Sequence, residues 1–179
     1  ERLASERKKS DSVHKALKKM AFEKFTHVAV QPVHVIPGLE YGDIVSDADE
    51  LRADGTFASL VVGAPLLTES QASVDRAACA LLAGLPSGRA PGEPVLFMGH
   101  GSRHAAEGRY EALAAAVRER DPLVLMGTLN GAVRLEHIVE RLRACGRPFG
   151  RVWLLPLLAV VGRHTLEDMA GDSEHSWRS

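Results

Sequence analysis

Pro94-Val95-Leu96-Phe97-Met98-Gly99-His100-Gly101-Ser102-Arg103-His104 is the stretch that decides the fold. The apolar run Val95 to Met98 has the length and composition of a strand buried on both faces, as strands of a parallel sheet are. Gly99 and Gly101 let the chain turn sharply out of that strand, and Ala105–Arg118 reads as the helix that follows. In an open α/β sheet, ligands bind outside the carboxyl ends of the strands. His100 therefore stands where chemistry is expected.

Outward from this stretch, the same alternation covers the chain. Strands are predicted near 27–36, 58–63, 94–98, 123–127 and 151–156, and helices near 11–24, 43–53, 71–84, 105–119, 134–145 and 164–170. The first helix carries its apolar stripe on Val13, Leu17, Met20 and Ala21, with lysines opposite. Such alternation implies mostly parallel sheets with helices on their faces. The glycine- and proline-rich run Gly84–Gly92 is the one convincing linker. It predicts an α/β half over 1–84, a linker over 85–93 and a second half over 94–179. Glu1–Lys9 is a charged run with no strand before it. The segment 171–179 reads as a helix start capped by Asp172 or Ser173. Both ends are thus expected to be those of a fragment.

An internal repeat supports two halves. Val28-Ala29-Val30-Gln31-Pro32-Val33-His34-Val35-Ile36-Pro37-Gly38-Leu39-Glu40 aligns with the stretch from Val152 to His164 at a constant offset of 124. Valine (28/152), proline (32/156) and glycine (38/162) recur identically, and Glu40 falls opposite His164. The spacing exceeds that of solenoid repeats and suits a duplicated domain. Two ordinary buried strands of similar composition would give the same pattern.

Composition narrows the function. With 22 basic and 23 acidic residues the formal net charge is −1, which offers neither nucleic acid nor an anionic membrane an electrostatic footing. No apolar run reaches the roughly 20 residues of a membrane helix. Cys79 and Cys145 form no CxxC pair and read as buried thiols in helices, pointing to a reducing, cytoplasmic setting, with the periplasm left open. Neither a P-loop nor G-x-G-x-x-G is present, so nothing points to ATP or a dinucleotide, and there is no G-x-S-x-G elbow.

His100, His104, His164 and Glu40 all fall on predicted strand-to-helix loops. Imidazole and carboxylate without thiolate suit cobalt, nickel, iron or zinc. His100-Gly101-Ser102-Arg103-His104 lacks the glutamate of H-E-x-x-H, and Gly101 interrupts any helix there. His14, His27 and His137 read as surface or packing residues, whereas His34 lies near enough to a loop to line a cleft. Three readings follow from the residues alone: a catalyst built on these groups, a binding protein without turnover, and a small metallohydrolase on His100 and His104.

Taken together, the segments Val28–Tyr41, Val61–Leu67, Phe97–Gly101 and Gly162–Trp177 resemble the ATP-independent sirohydrochlorin cobalt chelatases of the anaerobic vitamin B12 pathway, the CbiK type. The resemblance implies two flavodoxin-like, doubly wound α/β domains related by pseudo-twofold symmetry around a cleft for a tetrapyrrole and a metal. It implies His100 and His164 as the active-site imidazoles, serving both as metal ligands and as proton acceptors. Glu40, in the family's G-x-E-Y segment, is implied as a proton acceptor or secondary ligand. Asn130 stands where a glutamate is expected at the metal. His34, Arg103 and Arg163 are candidates for the substrate, the arginines for its carboxylates. The metal expected is Co²⁺, with Fe²⁺ or Ni²⁺ as alternatives and no ATP. Alternatives to the cobalt enzyme are a ferrochelatase making sirohaem and a tetrapyrrole or metal carrier. The expected partner is the small-molecule macrocycle, with homo-oligomers compatible.

Overall fold

The computed structural model describes residues 11–160 and 162–179, which fall into two compact units. One comprises, among the described residues, 11–32 together with Leu39–Ala64. The other comprises Val33–Gly38 and Pro65–Ser179.

The first unit is a βαβ unit with a preceding helix. Helix α1 (Val13–Phe22) is capped by Ser12, whose hydroxyl accepts the Lys15 N–H. Strands β1 (His27–Val30) and β2 (Ser59–Val62) pair in parallel, His27 opposite Ser59, and helix α2 (Leu39–Ala53) connects them. Period-two alternation sends Val28, Val30, Leu60 and Val62 to the face covered by Leu17, Ala48 and Leu51. The strand predicted over 27–36 ends at Val30. Pro32 has no N–H for a ladder, and the amides of Leu66 and Leu67 bond instead to the carbonyls of His34 and Val35. His34 is thus in a connecting segment that belongs to the second unit. Helix α2 starts earlier than the predicted 43–53, so Glu40 lies in its first turn rather than on a loop.

The second unit carries helix α3 (Gln71–Ala83), strand β3 (Val95–Gly99), a 3-10 turn (Ala105–Glu107), helix α4 (Gly108–Arg120), strand β4 (Val124–Thr128), helix α5 (Leu135–Ala144) and strand β5 (Trp153–Leu157). Its sheet is parallel, in the order β4-β3-β5, with Val95 opposite Val124 on one side and Trp153 on the other. Every residue of β3 and β4 is buried. Val95, Phe97, Val124 and Met126 pack with α3 and α4 on one face, and Leu96 and Leu125 pack with Ile138 of α5 on the other. Because α4 and α5 cover opposite faces, the strand order reverses at β3. The crevice beyond its carboxyl end is a topological switch point.

Three expectations are corrected here. The segment 85–93 does not separate the compact units: Arg89 pairs with Asp121 at 2.6 Å, and the Trp153 indole donates to Glu93 at 2.7 Å, tying it to the second sheet. Helix α3 likewise packs with that sheet, through Val74, Ala77 and Ala78. Residues 171–179 form turns rather than a helix, because the Ser176 hydroxyl bonds to the Gly171 carbonyl and Trp177 packs beside Ile138. Cys79 and Cys145 are exposed free thiols: the inward face of α3 is taken by Ser73, Val74, Ala77 and Ala78. Their burial therefore gives no argument about compartment. Among the described residues no helix is long and apolar enough to cross a membrane.

Candidate metal and proton-transfer site

At the carboxyl edge of the second sheet, β3 runs into His100 and β5 into the segment that carries His164. The two imidazoles, sixty-four residues apart in sequence, meet edge to face with ring centroids 4.8 Å apart and planes at 68°. The shared placement expected of them is found.

Each ring is oriented by a bond at Nδ1. His100 Nδ1 lies 2.9 Å from the carbonyl oxygen of Gly101. A carbonyl only accepts, so Nδ1 carries the hydrogen and Nε2 keeps its lone pair. His164 Nδ1 lies 2.6 Å from Asp168 Oδ2, with both side chains 44% exposed. A carboxylate only accepts, so it holds the ring in the same tautomer. Each of the two neighbouring rings thus keeps its Nε2 outside these bonds. An imidazole Nε2 in this state can bind a divalent ion or accept a proton.

The loops that hold the rings follow from local sequence. Gly101 has φ of +73°, and a Cβ on it would lie 2.6 Å from the Gly131 nitrogen and 2.7 Å from Thr128 Cβ. Only glycine passes there without strain. The carbonyls of Gly99 and His100 accept the amides of Leu129 and Asn130, which joins the loops after β3 and β4. Below them Tyr110 is 5% exposed against Gly99. Burial pushes its hydroxyl up to about 12, the nearby Glu107 charge adds to this, and a backbone hydrogen bond with Gly101 opposes it. His164 opens a π-helical turn (His164–Met169), closed by the Ala170 N–H on the Thr165 carbonyl. Such wide turns recur at functional sites. The turn falls on the helix predicted near 164–170, so that His164 opens a helical turn and does not stand on a loop before it, four residues from Asp168.

The other candidates are sorted by the same geometry. The His104 Nδ1 accepts the Ala106 N–H and caps the 3-10 turn, a structural role that leaves no His100–His104 metallohydrolase pair with both rings aimed at a metal. Asn130 is exposed, and its backbone amide is bound to His100, so the residue lies on the same edge. Arg163 is exposed and pairs with Glu167 at 2.7 Å, while Arg103 is exposed with no ion pair among the described residues. His34 is half-buried, and its Nδ1 is enclosed without a hydrogen-bond partner among the described residues. Glu40 is exposed in the first unit, beside Tyr41, whose hydroxyl donates to the Gly63 carbonyl. Among the described residues no three His, Cys, Asp or Glu side chains form a metal-binding group. Asp168 and Glu107 are the groups that sequence reasoning missed. For Asp168 the signal was present, since it lies four residues after His164 on a helix-forming stretch.

Comparison with known proteins bears on the family and the fold. The chain is 58% identical over 178 residues, 99% of its length and 62% of the relative's, to the sirohydrochlorin cobaltochelatase CbiKC of Nitratidesulfovibrio vulgaris. It is 34% identical to the sirohydrochlorin cobaltochelatase of Salmonella typhimurium, over 94% of this chain and 61% of that protein. The chain thus spans about six-tenths of the length of the curated relatives it matches. In fold it is similar to SirB from Bacillus subtilis, solved with Fe3+, at a TM-score of 0.52 and 16% identity, covering 86% of this chain and 61% of that one. The family model described as cobalt chelatase (CbiK) matches residues 2–179, and the chain belongs to that family.

Proposed function

We propose that this chain carries the metal-handling part of an ATP-independent sirohydrochlorin cobaltochelatase of cobalamin biosynthesis. The observation that carries the reading is the His100–His164 pair, with both Nδ1 atoms engaged and both Nε2 atoms free for one small cation or two protons. Insertion exchanges two pyrrole N–H protons for one divalent ion. Each imidazole accepts one proton at Nε2, and Asp168 steadies the resulting imidazolium on His164. The same lone pairs bind Co²⁺ before the macrocycle does, so proton uptake and metal release occur at the same atoms. The stability of the metallated product supplies the driving force, and no nucleotide is required.

Arg163 and Arg103 are proposed to meet substrate carboxylates, Arg163 by exchanging Glu167 for them. Val160 and Leu166, near His164 in sequence, are 71% and 59% exposed and supply apolar surface for a macrocycle. Asn130 is proposed as a neutral ligand, and His34, half-buried, as a substrate contact. The proton-accepting role of Glu40 rests on the family resemblance alone. The recurrence at offset 124 supports reading the two units as copies of one α/β design. Mixing sirohydrochlorin and Co²⁺ with the protein tests the reading by absorbance. Many turnovers per chain support a chelatase; a shift that stops at one equivalent would make the protein a carrier. Fe²⁺ and Ni²⁺ in the same assay establish the preferred metal.

A further inference from the structure

We infer that Glu107 is a positioning residue for His100, acting through the peptide between Gly101 and Ser102. The inference deepens the chelatase reading and rests on it only for its effect on insertion. Glu107 Oε2 accepts the Ser102 N–H at 2.7 Å. That N–H shares one rigid plane with the Gly101 carbonyl, and in a trans peptide the two point in opposite directions. The carbonyl is the group that accepts the His100 Nδ1 hydrogen at 2.9 Å. A carboxylate on one side of the plane therefore aims the acceptor on the other side.

The carboxylate is itself held. Thr128, 2% exposed at the end of β4, donates its hydroxyl to Glu107 Oε1 at 3.2 Å. The same carboxylate lies against Gly131, where any Cβ would collide with it. Hydrogen bonds in series polarise one another, so the charge on Glu107 strengthens the Gly101 carbonyl as an acceptor. His164 is backed directly by Asp168, and His100 is backed by Glu107 through one peptide. The two rings thereby present the same tautomer by two routes. Partners behind a metal-binding imidazole fix its tautomer and orientation.

Imidazole ¹⁵N spectra of the labelled chain at alkaline pH read the tautomer of His100 without any insertion assay. The parent should show His100 wholly as the Nδ1–H form. E107A should turn it into a mixture of tautomers, leave His164 unchanged, and slow Co²⁺ insertion about 10- to 100-fold. E107Q still offers an oxygen to Ser102 and should retain the tautomer, with insertion within roughly tenfold of the parent. If E107A does not fold, T128V carries the test by freeing Oε1, and a mixed His100 tautomer is again the expected result. A folded E107A, or failing that T128V, with His100 still wholly Nδ1–H overturns the inference whatever the insertion rate. Absence of insertion by the parent instead defeats the chelatase reading and leaves the tautomer result standing.

Discussion

Replacing Gly101 by alanine should cost stability and activity together, and the two contributions to the loss can be separated. At φ of +73° an alanine pays about 1–2 kcal/mol for the left-handed backbone. It regains about 0.4–1 kcal/mol because the unfolded chain is stiffer. Its methyl would also stand 2.6 Å from the Gly131 nitrogen and 2.7 Å from Thr128 Cβ, the latter at the end of a fully buried strand. Forcing in a methyl group there adds about 1–3 kcal/mol. The sum is roughly 2–4 kcal/mol, a fall of about 1–2 M in the urea midpoint for a slope near 2 kcal/mol per M. Gly146 supplies the control, since its φ is +65° and nothing lies within 4 Å of an added Cβ. Gly146→Ala should therefore lose only about 1 kcal/mol. Urea titrations of the three proteins, followed by circular dichroism, measure the difference. Equal losses in the two variants would show that crowding at Gly101 has no consequence. An unchanged midpoint for Gly101→Ala would refute the tight approach of the β3 and β4 loops. Since Gly101 also supplies the carbonyl that orients His100, insertion should fall in G101A and not in G146A.

The other expectations are briefer. His164→Ala should abolish most Co²⁺ insertion with a melting curve close to the parent's, because the ring is partly exposed at the start of a turn and fills no core space; unchanged turnover removes His164 from the mechanism. Arg89→Ala should destabilise by about 1–2 kcal/mol at pH 7, since it breaks a largely shielded ion pair with Asp121. The Arg89 hydrogen bond holds the Asp121 carboxyl below its ordinary value, so the parent's advantage is complete above about pH 4 and fades as pH falls through the lowered value; urea midpoints that differ equally at pH 7 and pH 3 would contradict this. Asn130→Glu should tighten Co²⁺ and Zn²⁺ binding, more at neutral than at acid pH, because a carboxylate joins the edge beside His100. Calorimetric titration giving equal affinities would mean that the Asn130 loop never reaches the ion.

Much of this edge was legible before any coordinates, and the reasons are physical. Buried parallel strands advertise themselves as apolar runs, which is why Val95–Met98 and Leu123–Gly127 locate β3 and β4 to within a residue or two. Side chains at strand ends are then constrained by the sheet, so His100 and His164 could be paired across sixty-four residues. What stayed hidden depends on which atoms bond. A capping histidine and a ligating histidine look alike in sequence, and only the Ala106 N–H on Nδ1 assigns His104 to the first kind. Pro32 and Pro156 look equivalent in the repeat, yet one stands beyond β1 and the other lies inside β5. β5 pairs on one side only within the described sheet, and an edge strand tolerates a missing N–H. The π-helical turn at His164 depends on one extra residue per turn, which no apolar periodicity reports. Its consequence is local: the turn joins the His164 imidazole to the Asp168 carboxylate that orients it. Sequence spacing alone suggests only an exposed i,i+4 pair worth a few tenths of a kcal/mol. What orients the two rings thus lies in hydrogen bonds behind them, the Asp168 carboxylate for His164 and the Gly101 carbonyl for His100.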